Sequence, residues 1–153
     1  MKPKILKDFG AFIKQGIVKI QSPDKSRAKF LILESEKDYF SLLELLDKIG
    51  IKDNNANSIV KSCYDIIMEI VRAKMLLDGY NASGLGAHEA EVSYLRTLNF
   101  NENEVRFADK MRFFRNGMLY YGTILDKEYA EKVVEFTKKM LSKLHFLLKK
   151  GLR

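Results

Sequence analysis

Only two prolines occur in this chain, Pro3 and Pro23, together with nine glycines in 153 residues. Beyond residue 23 the chain carries no residue that both lacks a backbone N–H and clashes with a preceding helical turn. So few breakers favour long helices over an all-β fold, which needs many tight turns. Apolar spacing agrees. Ser22-Pro23-Asp24 reads as a helix start, and Ala28, Leu31, Ile32, Ser35, Tyr39, Leu42, Leu46 and Ile49 then recur at helical intervals up to Gly50.

The same reading predicts a helix over 58–78 with a broad apolar surface of Ile59, Cys63, Ile66, Ile67, Ile70 and Val71, widened by Val60, Tyr64, Met68 and Met75. Such a surface belongs at the centre of a bundle. Gly79 closes it, and 81–87 reads as a loop before a short helix over 88–98. Asn101 with Glu104 three residues on has the form of a capping box for a helix over 101–121. Asp126 caps a last helix over 126–149, whose inward stripe is Tyr129, Val133, Phe136, Met140, Leu144 and Leu147. The expected fold is all-α, an up-and-down antiparallel bundle of four long helices with one or two short ones. Residues 1–21 form an N-terminal extension packed on the domain, with a short amphipathic helix over 4–15 and an extended Ile17–Ile20 for which no partner strand is evident. Residues 22–153 form the bundle.

Composition narrows the function classes. Hydrophobic residues are 46% and charged residues 31%, which excludes wholesale disorder. The longest apolar runs are four residues, Phe30–Leu33 and Met118–Tyr121, against the roughly 20 a membrane-spanning helix needs. The single cysteine, Cys63, excludes an internal disulfide, so a reducing, cytoplasmic setting is expected. The two histidines are His88 and His145. With one cysteine they make no spaced metal set, and no cofactor motif appears. His145 reads as a helix-surface residue. Gly84-Leu85-Gly86 follows a helix rather than a strand and lacks a Gly-Lys-Ser/Thr, so it is not a phosphate loop.

The net charge is +7 and unevenly spread, with twelve basic and seven acidic residues in 101–153. After Glu135 there are six bases and no acid. Lys132, Lys139, Lys143 and Lys150 fall near one face of the last helix, an arrangement suited to nucleic-acid phosphates.

The densest chemistry lies in Met111-Arg112-Phe113-Phe114-Arg115-Asn116-Gly117-Met118-Leu119-Tyr120-Tyr121-Gly122. On a helical wheel Arg115 shares a face with Val105, Ala108, Met111 and Met118. A buried arginine is almost never unpaired, so Arg115 must meet an acid, a partner subunit or an anionic ligand. If the chain is a non-catalytic dimerisation module, Arg115 is expected to hold a buried polar network at the dimer interface with Asp78 or Glu69.

Four features together resemble the HEPN superfamily of helical, nucleic-acid-acting proteins. They are the Ala28–Leu46 helix with its Glu34-Ser35-Glu36-Lys37-Asp38-Tyr39 centre, Arg72-Ala73-Lys74-Met75-Leu76-Leu77, the Gly-rich loop leading to His88, and Arg115-Asn116 followed by aromatic residues. The family signature is Arg, often followed by Asn, with a His four to six residues on. Arg115 and Asn116 match its first half, and Tyr120 stands where a four-spaced His would be.

The resemblance implies Arg115, Asn116 and Tyr120 as the catalytic set, with His88 as a substitute imidazole if its loop folds over. It also implies Arg112 beside them on RNA, a homodimer, and a small nucleotidyltransferase as toxin–antitoxin partner. With Tyr in the His position, metal-independent endoribonuclease activity is expected to be weak or lost. The alternative is a non-catalytic helical dimerisation module.

Overall fold

The computed structural model describes residues 5–117 and 122–151. It is an all-α bundle with six helices and one two-stranded sheet among those residues. In chain order the elements are α1 (Phe9–Lys14), β1 (Val18–Ile20), α2 (Lys25–Lys48), α3 (Ala56–Asp78), β2 (Tyr80–Ala82), α4 (Ala87–Thr97), α5 (Glu102–Arg115) and α6 (Lys127–Gly151).

The broad apolar surface of α3 makes it the centre. Thirteen of its residues are buried, and α2, α4, α5 and α6 all pack on it. Burial of whole aliphatic side chains, each worth about 1.5–3 kcal/mol, is concentrated here: Ile59, Ile66, Ile67, Met68 and Ile70 are almost completely enclosed. Helix α2 runs antiparallel to α3. Ala28 packs with Ala73 and Leu76, whereas the Ser35 hydroxyl, further along α2, donates to the Ile66 carbonyl at 2.8 Å.

Helix boundaries follow local chemistry. The α2 cap is Asp24, whose carboxylate accepts the Arg27 N–H at 3.0 Å, so the helix starts just after the Ser22-Pro23 pair rather than on it. Asn101 and Glu104 form the reciprocal capping box of α5, and Asp126 accepts the Tyr129 N–H at 2.9 Å at the start of α6. Gly79 ends α3 at φ +88°, and a Cβ there would stand 2.8 Å from the Gln21 carbonyl oxygen. That approach lets Gln21 N–H donate to Gly79 O at 2.9 Å.

Three expectations are corrected. Ile17–Ile20 does have a partner: β1 pairs antiparallel with β2, Val18 opposite Ala82 and Ile20 opposite Tyr80. The start of the expected 81–87 loop is therefore strand. A three-residue strand carries no usable periodicity, and the left-handed turn at Gly79 is what brings the two segments together. Phe9 and Phe12 are buried, Phe9 against the Tyr80 and Tyr94 rings, so the N-terminal stretch is stitched into the core. The third correction is that α5 stops at Arg115. Asn116 is its C-cap and Gly117 takes φ +75°, both poor helix formers. Residues 118–121, Tyr120 among them, lie outside the described residues.

Candidate functional site

Helices α3, α4 and α5 meet along a seam lined by three arginines and their acids. Arg112 is the buried one. It is 7% exposed, its Nε donates to Asp109 Oδ1 at 2.7 Å, and its Nη1 lies 3.9 Å from Glu89 Oε1. Burial removes Arg112 from the nucleic-acid surface expected of it: its charge faces Asp109 and Glu89 inside the protein.

Arg115, expected on the apolar stripe, is instead half-exposed. It pairs with Asp65 of α3, Nε to Oδ1 at 3.0 Å, both side chains about two-fifths exposed. Its acid is therefore neither Asp78 nor Glu69. Asp78 binds Lys74 at 2.8 Å and accepts the Tyr94 hydroxyl. The stripe of Val105, Ala108 and Met111 is buried as expected, but the helix ends where Arg115 would have extended it.

The loop after β2 does carry His88 to this seam. His88 Nδ1 lies 3.0 Å from Glu91 Oε1, and the other Glu91 oxygen accepts from Arg72 Nε at 2.9 Å. Glu89, next to His88, is the residue that reaches Arg112. The start of α4 thus stands beside α5 one helical turn before Arg115. Tyr64 Oη is buried without a hydrogen-bond partner. Burial, with Glu91 next in importance, raises its hydroxyl far above the usual phenol range despite Arg112 and Arg72. It is a neutral phenol at any working pH.

On the same face of α3, Glu69 follows Asp65 by four residues and precedes Arg72 by three. Burial raises its carboxyl and the adjacent Asp38 of α2 raises it further, to about 8, against the pull of Arg72. Glu69 Oε2 receives no N–H or O–H. A protonated Glu69 donating to the Asp38 carboxylate accounts for both facts. The sequence signal was two acids on facing helices, which α2 and α3 bring together only once their register is known.

The sign of the resulting pH effect is definite. Unfolded, this carboxyl loses its proton near 4.5; folded, it holds it to about 8. The native state binds the extra proton in between, so stability falls as pH rises through that window. Glu69→Gln, neutral throughout, should match wild type in Tm at about pH 4 and exceed it at about pH 9. Tm measured against pH for both proteins tests this; an unchanged wild-type slope in the variant would overturn the assignment.

The second basic surface is on α6. Lys132, Lys139, Lys143 and Lys150 are all exposed, and at 3.6 residues per turn they share one face. Aromatic rings interleave with them. Phe146 is 61% exposed with Lys150 Nζ 4.8 Å from its centroid, and Phe136 stacks on Phe107 at 4.3 Å. Lys143 spans to α5, donating to Glu104 at 2.8 Å. Burial would raise the Glu104 carboxyl, but Lys143 and the Asn101 N–H outweigh it and hold it below the usual range. An open hollow of about 420 Å³ lined by Phe100, Lys143 and Phe146 adjoins this face.

His145, expected on the surface, is half-buried, with Nε2 enclosed and without a hydrogen-bond partner. Cys63 is buried, which pushes its thiol up to about 11 and makes it unreactive. Among the described residues no group of three or more His, Cys, Asp or Glu is arranged to hold a metal, and no helix is long and apolar enough to cross a membrane. Compared with protein-family models, with curated proteins and with solved structures, the chain matches none.

Proposed function

We propose that this chain is a HEPN-like, RNA-directed helical protein with weak or lost metal-independent endoribonuclease activity, working in the cytoplasm beside a small nucleotidyltransferase as a toxin–antitoxin component. The observation that carries the RNA part is the exposed face of α6. Four lysines repeat along one side of a 25-residue helix, with an exposed phenylalanine among them. Lysines meet phosphates as point charges, and an exposed ring offers a stacking surface to an unpaired base. Arg115 supports the reading from the seam. A pair exposed on both sides is worth at most about 1 kcal/mol, so a phosphate can take the guanidinium from Asp65 at little cost. Asn116 stands beside it at the open end of α5.

The test is single-stranded RNA binding by the full chain across a salt series. Lys139 is the cleanest probe, since Lys143 also holds Glu104 of the α5 capping box. Lys139→Ala should lower the slope of log affinity against log salt by about 1. Salt-independent affinity, or none, would overturn the RNA reading.

The second reading, a non-catalytic dimerisation module, is favoured by one observation: α2 exposes Phe30, Leu33, Phe40 and Leu43.

A further inference from the structure

Helix α2 packs on α3 with Ala28, Ser35 and Leu42 and leaves its opposite side open. That open side is not polar. Phe30 is 60% exposed, Leu33 56%, Phe40 65% and Leu43 38%. Four large apolar side chains along one stretch of helix form the kind of patch that marks an interaction surface. Positions 30, 33, 37 and 40 are spaced three, four and three, the alternation of a helix–helix seam.

We propose that this face is the site of a second copy of the chain, with the two α2 helices antiparallel about a two-fold axis passing between Glu36 and Lys37. The argument is the self-complementarity of the face under that operation. A two-fold axis places each residue opposite the one equally far on the other side of it. Phe30 then meets the partner's Leu43, and Leu33 meets the partner's Phe40, so all four exposed apolar residues are covered at once. Lys37 meets the partner's Glu36 and Lys29 meets the partner's Glu44, so these charges beside the apolar pairs face their opposites, while Glu34 meets the partner's Tyr39. Moving the axis one residue toward the N-terminus sets Leu33 against the partner's Asp38, and moving it one residue toward the C-terminus sets Lys29 against the partner's Leu46. Only Lys25 and Lys48 form a like-charged pair, at the outermost turns, where solvent screens them.

The internal contacts this would disturb are slight. Lys37 lies 3.5 Å from Glu34, both on the surface, and Lys48 4.0 Å from Glu44. This assigns the interface of the dimerisation reading, and it moves the contact away from Arg115, whose acid is already supplied by Asp65 in the same chain.

The experiment is the solution mass of the full chain by sedimentation, with RNA affinity measured in parallel. Wild type should be a dimer at tens of micromolar. Leu33→Asp with Phe40→Asp should give a monomer. Lys37→Glu, which sets like charges across the axis, should weaken the dimer by about tenfold or more. Glu36→Lys combined with Lys37→Glu should restore it, because the axis then again pairs opposite charges. All these positions are exposed, so the fold survives and thermal unfolding confirms it. A monomeric wild type overturns the proposal, as does a dimer indifferent to Leu33→Asp with Phe40→Asp or a charge-reversed double variant no better than Lys37→Glu. A salt slope of RNA affinity that falls in Lys139→Ala but is unchanged in a monomeric variant separates failure of the dimer from failure of the RNA reading.

Discussion

Arg112→Ala should cost about 3–5 kcal/mol, the usual penalty for breaking a buried ion pair from one side. The guanidinium is enclosed between α4 and α5, with Asp109 at 2.7 Å and Glu89 at 3.9 Å, and it lies 4.8 Å over the Phe113 ring. Asp109 is itself only 8% exposed. Truncating the arginine leaves a desolvated carboxylate without its closest cation and opens a void where the side chain stood. Against a typical total of 5–15 kcal/mol, that is a large fraction. Arg115→Ala should change stability by less than about 1 kcal/mol, since both partners of its pair are in solvent. Denaturant unfolding of the two variants beside wild type measures the contrast. Equal, small effects would mean that Arg112 is not the arginine that ties α4 to α5.

The largest expected change in activity is a gain. Cleaving RNA without metal needs a base for the 2′-hydroxyl, an acid for the leaving oxygen and a cation for the phosphorane charge. Arg115 is suited to the last role through its always-charged planar fork. A free tyrosine side chain, with a pKa near 10, is ionised to only about one part in a thousand at pH 7, and Tyr120 stands where the signature has His. Wild type should therefore cleave single-stranded RNA weakly or not at all in chelator.

Tyr120→His replaces that group with one that holds and releases a proton near neutrality, and acid–base help is worth about 10²- to 10⁴-fold. Adding Arg115→Ala should abolish the gain while leaving the fold intact. Strong wild-type cleavage that survives Arg115→Ala would place the active site elsewhere. A folded Tyr120→His protein with no gain would favour the dimerisation module.

Much of the architecture is written locally. The Asn101–Glu104 box, the Asp126 cap, the Gly79 stop and the apolar breadth of α3 each depend on residues a few positions apart. Their chemistry survives into the structure unchanged. The two arginines of α5 are different. A wheel drawn through residue 121 puts Arg115 on the apolar stripe, but Asn116 and Gly117 end the helix first. Meanwhile Arg112, one turn earlier, finds Asp109 on its own helix and Glu89 on α4. Which arginine is buried depends on where α4 docks, and no spacing within α5 contains that. His88 reaches the seam for the same reason: its position depends on the loop that follows β2.

From the sequence alone come the helical class, the central place of α3, the capped starts of α5 and α6 and the basic face of α6. All of these rest on periodicity and capping, which act within one or two turns. The β1–β2 pair, the Arg115–Asp65 and Arg112–Asp109–Glu89 pairings, the Glu69–Asp38 carboxyl pair and the exposure of Phe30, Leu33, Phe40 and Leu43 were decided only in three dimensions. They join or expose residues whose relation depends on helix register and docking. The hydrophobic effect that drives that docking is proportional to area and blind to direction. It buries α3 whichever neighbours it has, and leaves the choice of neighbours, and so the site, to the assembled fold.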